Sequence, residues 1–367
     1  MKRILTYFAA IFMAVAGSHS AAAAQGTGGQ PDLAALYRQL DEAIEQAPQY
    51  VAEREQQISH ARRLFFAESS MEKKLLLAEQ LFGLFKPFRN DSALSYAAMC
   101  IGLADSLHRA DLAGRYRSMM ARQHSNADQY VEALEQLRQV DRNALDRRGL
   151  TAYYEAWMHV CGQIGSYSQL KDIRQGYYDR QDLYRDSVLQ VAEEGSEEFL
   201  HLKMDVLCAR RQYQDALSIS DSWLGKVADG THENAFAAFY RSVVYDNLSN
   251  AEQVRYWLGK SALDDIKCAV RDQAALLFLA NRLAEDGDLA RASRYVQFSR
   301  ESNLAFLPHL RVYQVNSVVS VAEKCRQASE AKSQRLMIVA CALAGLLVCL
   351  LLLLIFQRNR KCRRQPS

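Results

Sequence analysis

The first long stretch of the chain alternates apolar and polar positions with a helical period. Apolar residues recur three or four positions apart from Leu33 to Ile44, Pro48 interrupts the series, and the spacing resumes from Val51 to Phe65. A proline inside a helix removes a backbone hydrogen bond and favours a break. The pattern therefore predicts two long amphipathic helices that meet at Pro48.

Farther along, a helical hairpin pattern repeats. It is clearest at Asp286-Gly287-Asp288-Leu289, where bulky residues precede a turn and small residues follow it at helical spacing. Small residues on a second helix let it approach the first one closely, which is the tetratricopeptide arrangement. Five weaker copies lie upstream, one of them with Gly165 at its turn. The first packing positions of the six second helices are Ala93, Ala133, Leu170, Ala216, Val254 and Ala292.

These positions are 37 to 46 residues apart, whereas a standard tetratricopeptide repeat has a period of about 34 residues. No convincing strand pattern interrupts them. We therefore predict an all-α fold, an irregular tetratricopeptide-like α-solenoid over residues 32–330. Its last helix, Val318 to Arg335, should follow a break at Pro308 and continue into the apolar segment beyond it.

Residues 336–356 are 21 uncharged, apolar positions, long enough for a helix to cross a bilayer. Five cations follow them, which favours a cytoplasmic side for the basic tail of residues 357–367. These topology determinants are Arg358, Arg360, Lys361, Arg363 and Arg364. The sequence thus predicts a single-pass protein of the bacterial inner membrane, with its N-terminal domain in the periplasm and its C-terminus in the cytoplasm.

The N-terminus supports the same orientation. Residues 1–24 combine a basic start, an apolar core and a run of alanines, as in a cleaved secretory signal peptide. The apolar core is too short for a membrane anchor. Residues 25–31 are rich in Gly and Gln and are predicted to form a flexible linker.

The formal net charge of +3 is unevenly distributed. Residues 25–335 contain 38 Lys and Arg against 42 Asp and Glu, a net charge of −4. The positive balance comes from the signal peptide and the tail, so it indicates targeting and topology and does not predict binding to nucleic acid.

Motifs for chemistry are missing from the sequence. The eight cysteines include no C-x-x-C pair, the histidines have no metal-ligand spacing, and neither a phosphate loop nor a nucleophile elbow occurs. We expect no catalytic residues, no metal and no cofactor. The exported cysteines are read as buried free thiols, with a link between two chains through Cys325 as the alternative.

In a solenoid of this type the first helix of each pair lines the concave face. The candidate ligand-binding residues on that face are Glu155, His159, Glu198, His201, Asp205, Phe239 and Asn281. Such a mixed acidic and aromatic groove suits a peptide or a basic segment. Ordinary solvated side chains remain the alternative.

The segment from Tyr256 to Ile266, followed by Ala269 to Ala274, resembles a bacterial family of membrane-anchored tetratricopeptide-like repeat regulators, as do Asp91 to Leu94 and Tyr184 to Ser187. The resemblance implies periplasmic repeats, one membrane helix, and usually a cytoplasmic coiled helix with a helix-turn-helix output. It implies no ligand and no catalytic residue.

This sequence reaches only Ser367, about 11 residues beyond the apolar stretch, so we expect no DNA-binding module in it. A short family member, a truncated gene and an output carried by a separate protein all remain open. The predicted function is an interaction or sensing module for a periplasmic protein or peptide, with a homodimer through the juxtamembrane helix as a further expectation. The alternative is a passive scaffold for an envelope assembly.

Overall fold

A computed structural model describes residues 31–272 and 274–362, and every regular element in this part of the chain is helical. The predicted signal peptide, Arg363 and Arg364 lie outside the described residues. The helices are α1 Leu33–Ala67, α2 Met71–Phe85, α3 Asn90–Ser106, α4 Ala110–Asn126, α5 Tyr130–Arg138, α6 Arg147–Tyr167, α7 Lys171–Val191, α8 Glu197–Ala209, α9 Tyr213–Leu224, α10 His232–Asn247, α11 Ala251–Lys267, α12 Ala275–Glu285, α13 Leu289–Phe306 and α14 Val312–Cys362.

From α2 to α13 the described helices form six successive hairpins, which confirms the predicted all-α, tetratricopeptide-like solenoid. The second helices start 38 to 42 residues apart, at Asn90, Tyr130, Lys171, Tyr213, Ala251 and Leu289. Four of the hairpin turns contain a residue with positive φ. Gly287 has φ +90°, while Asp128, Arg211 and Ser249 have φ between +56° and +61°.

The third hairpin differs from its prediction. Gly165 lies inside α6, and the turn occurs after Tyr167. The second helix, α7, begins at Lys171, with Leu170 as its N-cap. The position equivalent to the small residues of the other hairpins is therefore Arg174. The mistake arose because glycine is tolerated within a helix at modest cost when its neighbours pack well.

The predicted break at Pro48 is also wrong, because α1 is one helix of 35 residues with Pro48 inside it. The two halves of α1 pack against different parts of the solenoid. Leu36 and Leu40 join a core with α11, α12 and α13, whereas Ile58 and Phe65 join a core with α2, α3 and α4. Burial on both sides of the proline offsets its lost hydrogen bond.

Helix α1 thus links the first hairpins to the last ones. Gly259 on α11 permits the close approach at one end, since a Cβ there would lie 2.7 Å from the Leu36 side chain. At the other end, the Arg54 guanidinium donates to the Cys268 carbonyl oxygen over 2.8 Å.

The two ends of the solenoid also meet directly. The backbone N–H groups of Arg271 and Asp272 donate to the Pro87 carbonyl oxygen, and the Arg271 guanidinium lies 3.9 Å from the centre of the Phe88 ring. A second contact brings the loop between α13 and α14 onto the α4–α5 turn, where Phe306 and Leu307 pack against Ala127. The hairpins therefore curve round on themselves, and we call the inner side of this curve, which their first helices face, the lumen.

Helix α14 continues from the repeat domain into the apolar segment without a break, as predicted, although it begins at Val312 and not at Val318. Gln314, Ser317 and Val321 are buried against the repeats, which explains the earlier start. The stretch Tyr313–Ile355 contains a window long and apolar enough to cross a membrane, and none of that window is buried inside the protein.

Seven cysteines are free thiols, namely Cys100, Cys161, Cys208, Cys268, Cys325, Cys341 and Cys349. Cys100 and Cys161 are buried, and burial raises the pKa of the Cys100 thiol to about 12 and that of Cys161 to about 11. The Cys325 sulfur lies 3.9 Å from the Leu289 carbonyl oxygen, within the repeat domain. This inward position does not favour a disulfide between two chains at Cys325.

Candidate functional site

The inner surface of the solenoid carries a cluster of charged and histidine side chains. The first helices of the hairpins contribute most of them, as expected from tetratricopeptide geometry. Further members come from the end of α11 and from the loop before α14. The cluster consists of Lys86, Arg122, Glu155, His159, Glu197, His201, His232, Asp265 and Arg311.

An ion pair between Arg122 on α4 and Glu155 on α6 lies at the centre of this cluster. The Arg122 side chain is 30% exposed and the Glu155 side chain is 14% exposed. Burial acts most strongly and would raise the pKa of Glu155, but the charge and hydrogen bond of Arg122, together with the other neighbouring basic groups, outweigh it and the pKa is lowered. Both groups are therefore charged at neutral pH, and each compensates the desolvation of the other.

Two histidines flank this ion pair. The His159 Nδ1 lies 3.1 Å from the Ser125 hydroxyl oxygen, and the His201 Nδ1 lies 2.8 Å from the Glu197 carbonyl oxygen. Burial, followed by the charge of Arg122, lowers the pKa of His159 to about 3. Burial also lowers the pKa of His201. Both imidazoles are therefore neutral and can accept a hydrogen bond at one nitrogen.

A second pair connects α10 and α11. The His232 Nδ1 lies 2.8 Å from an Asp265 carboxylate oxygen, and the Asn234 amide donates to Asp264 over 2.6 Å. Burial would lower the pKa of His232, but the hydrogen bond and charge of Asp265 raise it. This pair fixes the α10 terminus at the edge of the lumen.

Solvent reaches the cluster. Half of the His232 side chain is exposed, and Glu197 and Lys86 are exposed as well. Nevertheless, burial among surrounding protein atoms raises the pKa of the Glu197 carboxyl. A side chain that is both surrounded by protein and accessible to water lines a concave space. The cluster is thus partly accessible to solvent.

His159 should make the fold sensitive to acid. Its folded pKa is about 3, below the 6.5 of an unfolded histidine. Between these values the unfolded chain binds the extra proton, so stability is fully present above pH 6.5 and declines as the pH falls towards 3. Urea unfolding followed by circular dichroism should show that the free energy of unfolding declines between pH 7 and pH 4. This decline should be smaller in the His159→Gln variant. The same change at the exposed His60 should leave the pH profile unaltered, and equal profiles for all three proteins would contradict the assignment.

The residues predicted for the concave face have different environments. Glu155, His159, Glu198 and His201 belong to one electrostatic neighbourhood, since the charges of Glu155 and Glu198 both act on the His201 ring. Their role in binding stays a prediction.

Asp205 is half-buried on α8. Burial raises the pKa of the Cys208 thiol, and the negative charge of Asp205 raises it further. Phe239 packs against Phe278, with ring centres 6.0 Å apart. Asn281 is 3% exposed and donates to the Leu277 carbonyl oxygen. These positions place Asp205, Phe239 and Asn281 outside the charged cluster.

Sequence reasoning missed several members of the cluster. Lys86, Arg122 and Arg311 were overlooked because nothing local in the chain shows that they face the same space. Glu197 had a usable signal, since it precedes His201 by four residues and such pairs share one helix face. Among the described residues, no group of three or more His, Cys, Asp or Glu side chains is arranged to hold a metal ion.

The comparisons with known proteins agree with this architecture. Residues 44–317 match the family model described as the SusR N-terminal TPR domain. No curated protein matches the chain. The matched range contains all six hairpins and most of α1. It also covers most of the chain, so the protein belongs to the family of the SusR N-terminal TPR domain.

Proposed function

We propose that this protein is a non-catalytic sensing module that binds a peptide or protein segment in the lumen of its repeat domain. Tetratricopeptide-type hairpins present their first helices as a binding surface, and here that surface carries a solvent-accessible charged cluster. In this proposal α14 anchors the chain in the bacterial inner membrane, the repeats are periplasmic and the basic tail is cytoplasmic.

The observation that carries the proposal is the uninterrupted connection between the lumen and the apolar helix. Arg311 precedes α14 directly, and its charge acts on His159 within the cluster. The same guanidinium pairs with Asp272, whose backbone closes the solenoid at Pro87. An occupant that moves Arg311 therefore changes both the closure of the solenoid and the start of α14.

The proposed homodimer would use the distal part of the juxtamembrane segment. Val321 is buried and Cys325 faces Leu289, whereas residues 326–335 are exposed around the whole helix. A contact between two copies would thus begin near Ser329. This arrangement would let a change at the base of α14 alter the relation of two helices in the membrane.

Site-specific photo-crosslinking in living cells tests the binding proposal. A benzoylphenylalanine at Lys86, which faces the lumen, should capture a periplasmic peptide or protein that mass spectrometry can identify. The same probe at His60, on the exposed face of α1, serves as the matched control. Capture only from His60 would contradict lumen binding and would favour the passive scaffold, because scaffold partners need only an outer surface.

A further inference from the structure

The junction between α10 and α11 contains two buried carboxyl groups at the point where the solenoid closes. Asp264 and Asp265, in the last turn of α11, are 2% and 6% exposed. The closing segment, residues 268–272, follows them directly, and its last two backbone N–H groups donate to the Pro87 carbonyl oxygen. Whatever holds the end of α11 in place therefore also holds the closing segment against the first hairpin.

Two contacts join the start of α10 to this region. The His232 Nδ1 lies 2.8 Å from an Asp265 carboxylate oxygen. The Cys268 thiol, in the closing segment itself, donates to the carbonyl oxygen of Gly230, which lies just before α10. While both contacts persist, the start of α10, the end of α11 and the closing segment form one connected unit.

The charge balance of the junction depends on the protonation of one imidazole. Asn234 donates a hydrogen bond to Asp264 over 2.6 Å but carries no charge. Among the described residues, His232 is the basic side chain in ion-pair contact with Asp265. An imidazole loses its charge near pH 6.5 in water, and a buried carboxylate without a cation is unfavourable. The junction is therefore weaker when His232 is neutral.

The groups around His232 support this dependence. Burial acts most strongly and lowers the pKa of His232, but the hydrogen bond and charge of Asp265, with the charge of Glu197 on α8, outweigh burial and raise it. Lys86, beside the Pro87 turn, has a smaller opposing effect. Because the folded pKa lies above the unfolded value of about 6.5, the contribution of His232 is fully present below pH 6.5. It is lost as the pH rises through the folded pKa.

The two carboxyl groups act in the same direction. Burial raises the pKa of Asp265, and the charges of Asp264 and Asp272 raise it further, although His232 opposes them. Burial also raises the pKa of Asp264. The closed junction thus binds a proton more readily than an open one at each of these groups, and a fall in pH favours closure.

We propose that the junction of α10 and α11 is a pH-sensitive switch, which holds the closing segment on Pro87 in acid and releases it by local opening as the pH rises above neutral. Loss of the proton from His232 leaves Asp265 buried without a cation, and opening returns that carboxylate to water. Asp272 of the same segment pairs with Arg311, so the switch also acts on the start of α14. The switch needs no ligand and is therefore independent of the sensing function proposed above.

Hydrogen exchange followed by mass spectrometry on the full-length chain in lipid nanodiscs tests the proposal. Protection factors, which correct for the intrinsic effect of pH on exchange, are compared at pH 6 and pH 8.5. The amides of residues 268–272 should lose protection about threefold or more at pH 8.5. The amides of residues 97–101, within α3, report on global unfolding and should change less. Equal protection of the closing segment at both pH values, or an equal loss in α3, overturns the proposal.

Two substitutions remove the titration from either side of the contact. His232→Asn keeps a side-chain N–H donor without a charge, so its closing segment should have the same reduced protection at both pH values. Asp265→Asn removes the buried charge, so its closing segment should keep the protection of the acidic state at pH 8.5. His60→Asn, on the exposed face of α1, is the matched control and should respond to pH like the wild type. A wild-type response in either junction variant overturns the proposal, and one folded variant is enough for this test.

Discussion

Replacing Arg311 with methionine is expected to lower the free energy of unfolding by about 3 kcal/mol, because it leaves a shielded carboxylate without its partner. Arg311 and Asp272 retain only 12% and 20% of their side-chain exposure. Methionine preserves much of the alkyl packing and removes the cation. Urea unfolding of the full-length chain in detergent micelles, followed by circular dichroism, measures the loss.

The effect should be specific to the closure of the solenoid. Hydrogen exchange should accelerate in residues 268–272 and 306–311, the segments that join the last hairpins to the first. Arg311→Met combined with Asp272→Leu should recover most of the stability, since an apolar pair can replace a buried ion pair.

Arg326→Met is the matched control on α14. The Arg326 side chain is 58% exposed and pairs with Glu323 and Glu330. Arg326→Met should therefore lower the free energy of unfolding by about 0.5 kcal/mol or less. An equal loss for Arg311→Met and Arg326→Met would show that the closure is not held by the ion pair.

Local sequence signals predicted the hairpins where the backbone required a particular residue. Gly287 marks its turn because φ +90° is accessible to glycine at little cost. Asp128, Arg211 and Ser249 adopt a similar conformation in three other turns, and their identities do not reveal it. This difference explains why one repeat was clear in the sequence and the others were degenerate.

The features that sequence did not predict depend on contacts between distant residues. Pro48 favours a break in an isolated helix, but the cores on both sides of it keep α1 continuous. The closure between Pro87 and Asp272 joins residues from opposite ends of the solenoid. Without that closure, Lys86 and Arg311 would not face the lumen. Helical spacing grouped Glu155 on α6 with Glu198 and His201 on α8, and their charges do interact, whereas the cations near them have no local signal in the sequence.

Replacing Arg122 with methionine should cost about 3 kcal/mol as well, since it leaves Glu155 shielded from water and uncompensated. The sign of the pH dependence provides a further check. Arg122 lowers the folded pKa of Glu155 despite its burial, so the pair stabilises the fold above the unfolded pKa of about 4.3. This contribution is lost as the pH falls through the lower folded pKa. The variant should therefore lose less stability than the wild type when both are acidified below pH 4.5.

The double variant Arg122→Met with Glu155→Gln separates stability from recognition. A neutral pair of similar size avoids the desolvation of two charges, so its stability should lie within about 1 kcal/mol of the wild type. A fold that needs no ion pair at this position would retain one only where the charges serve another purpose. We therefore expect the double variant to unfold near the wild-type urea midpoint but to lose photo-crosslinking from Lys86. Undiminished capture would show that the pair is a structural element and that recognition occurs elsewhere in the lumen.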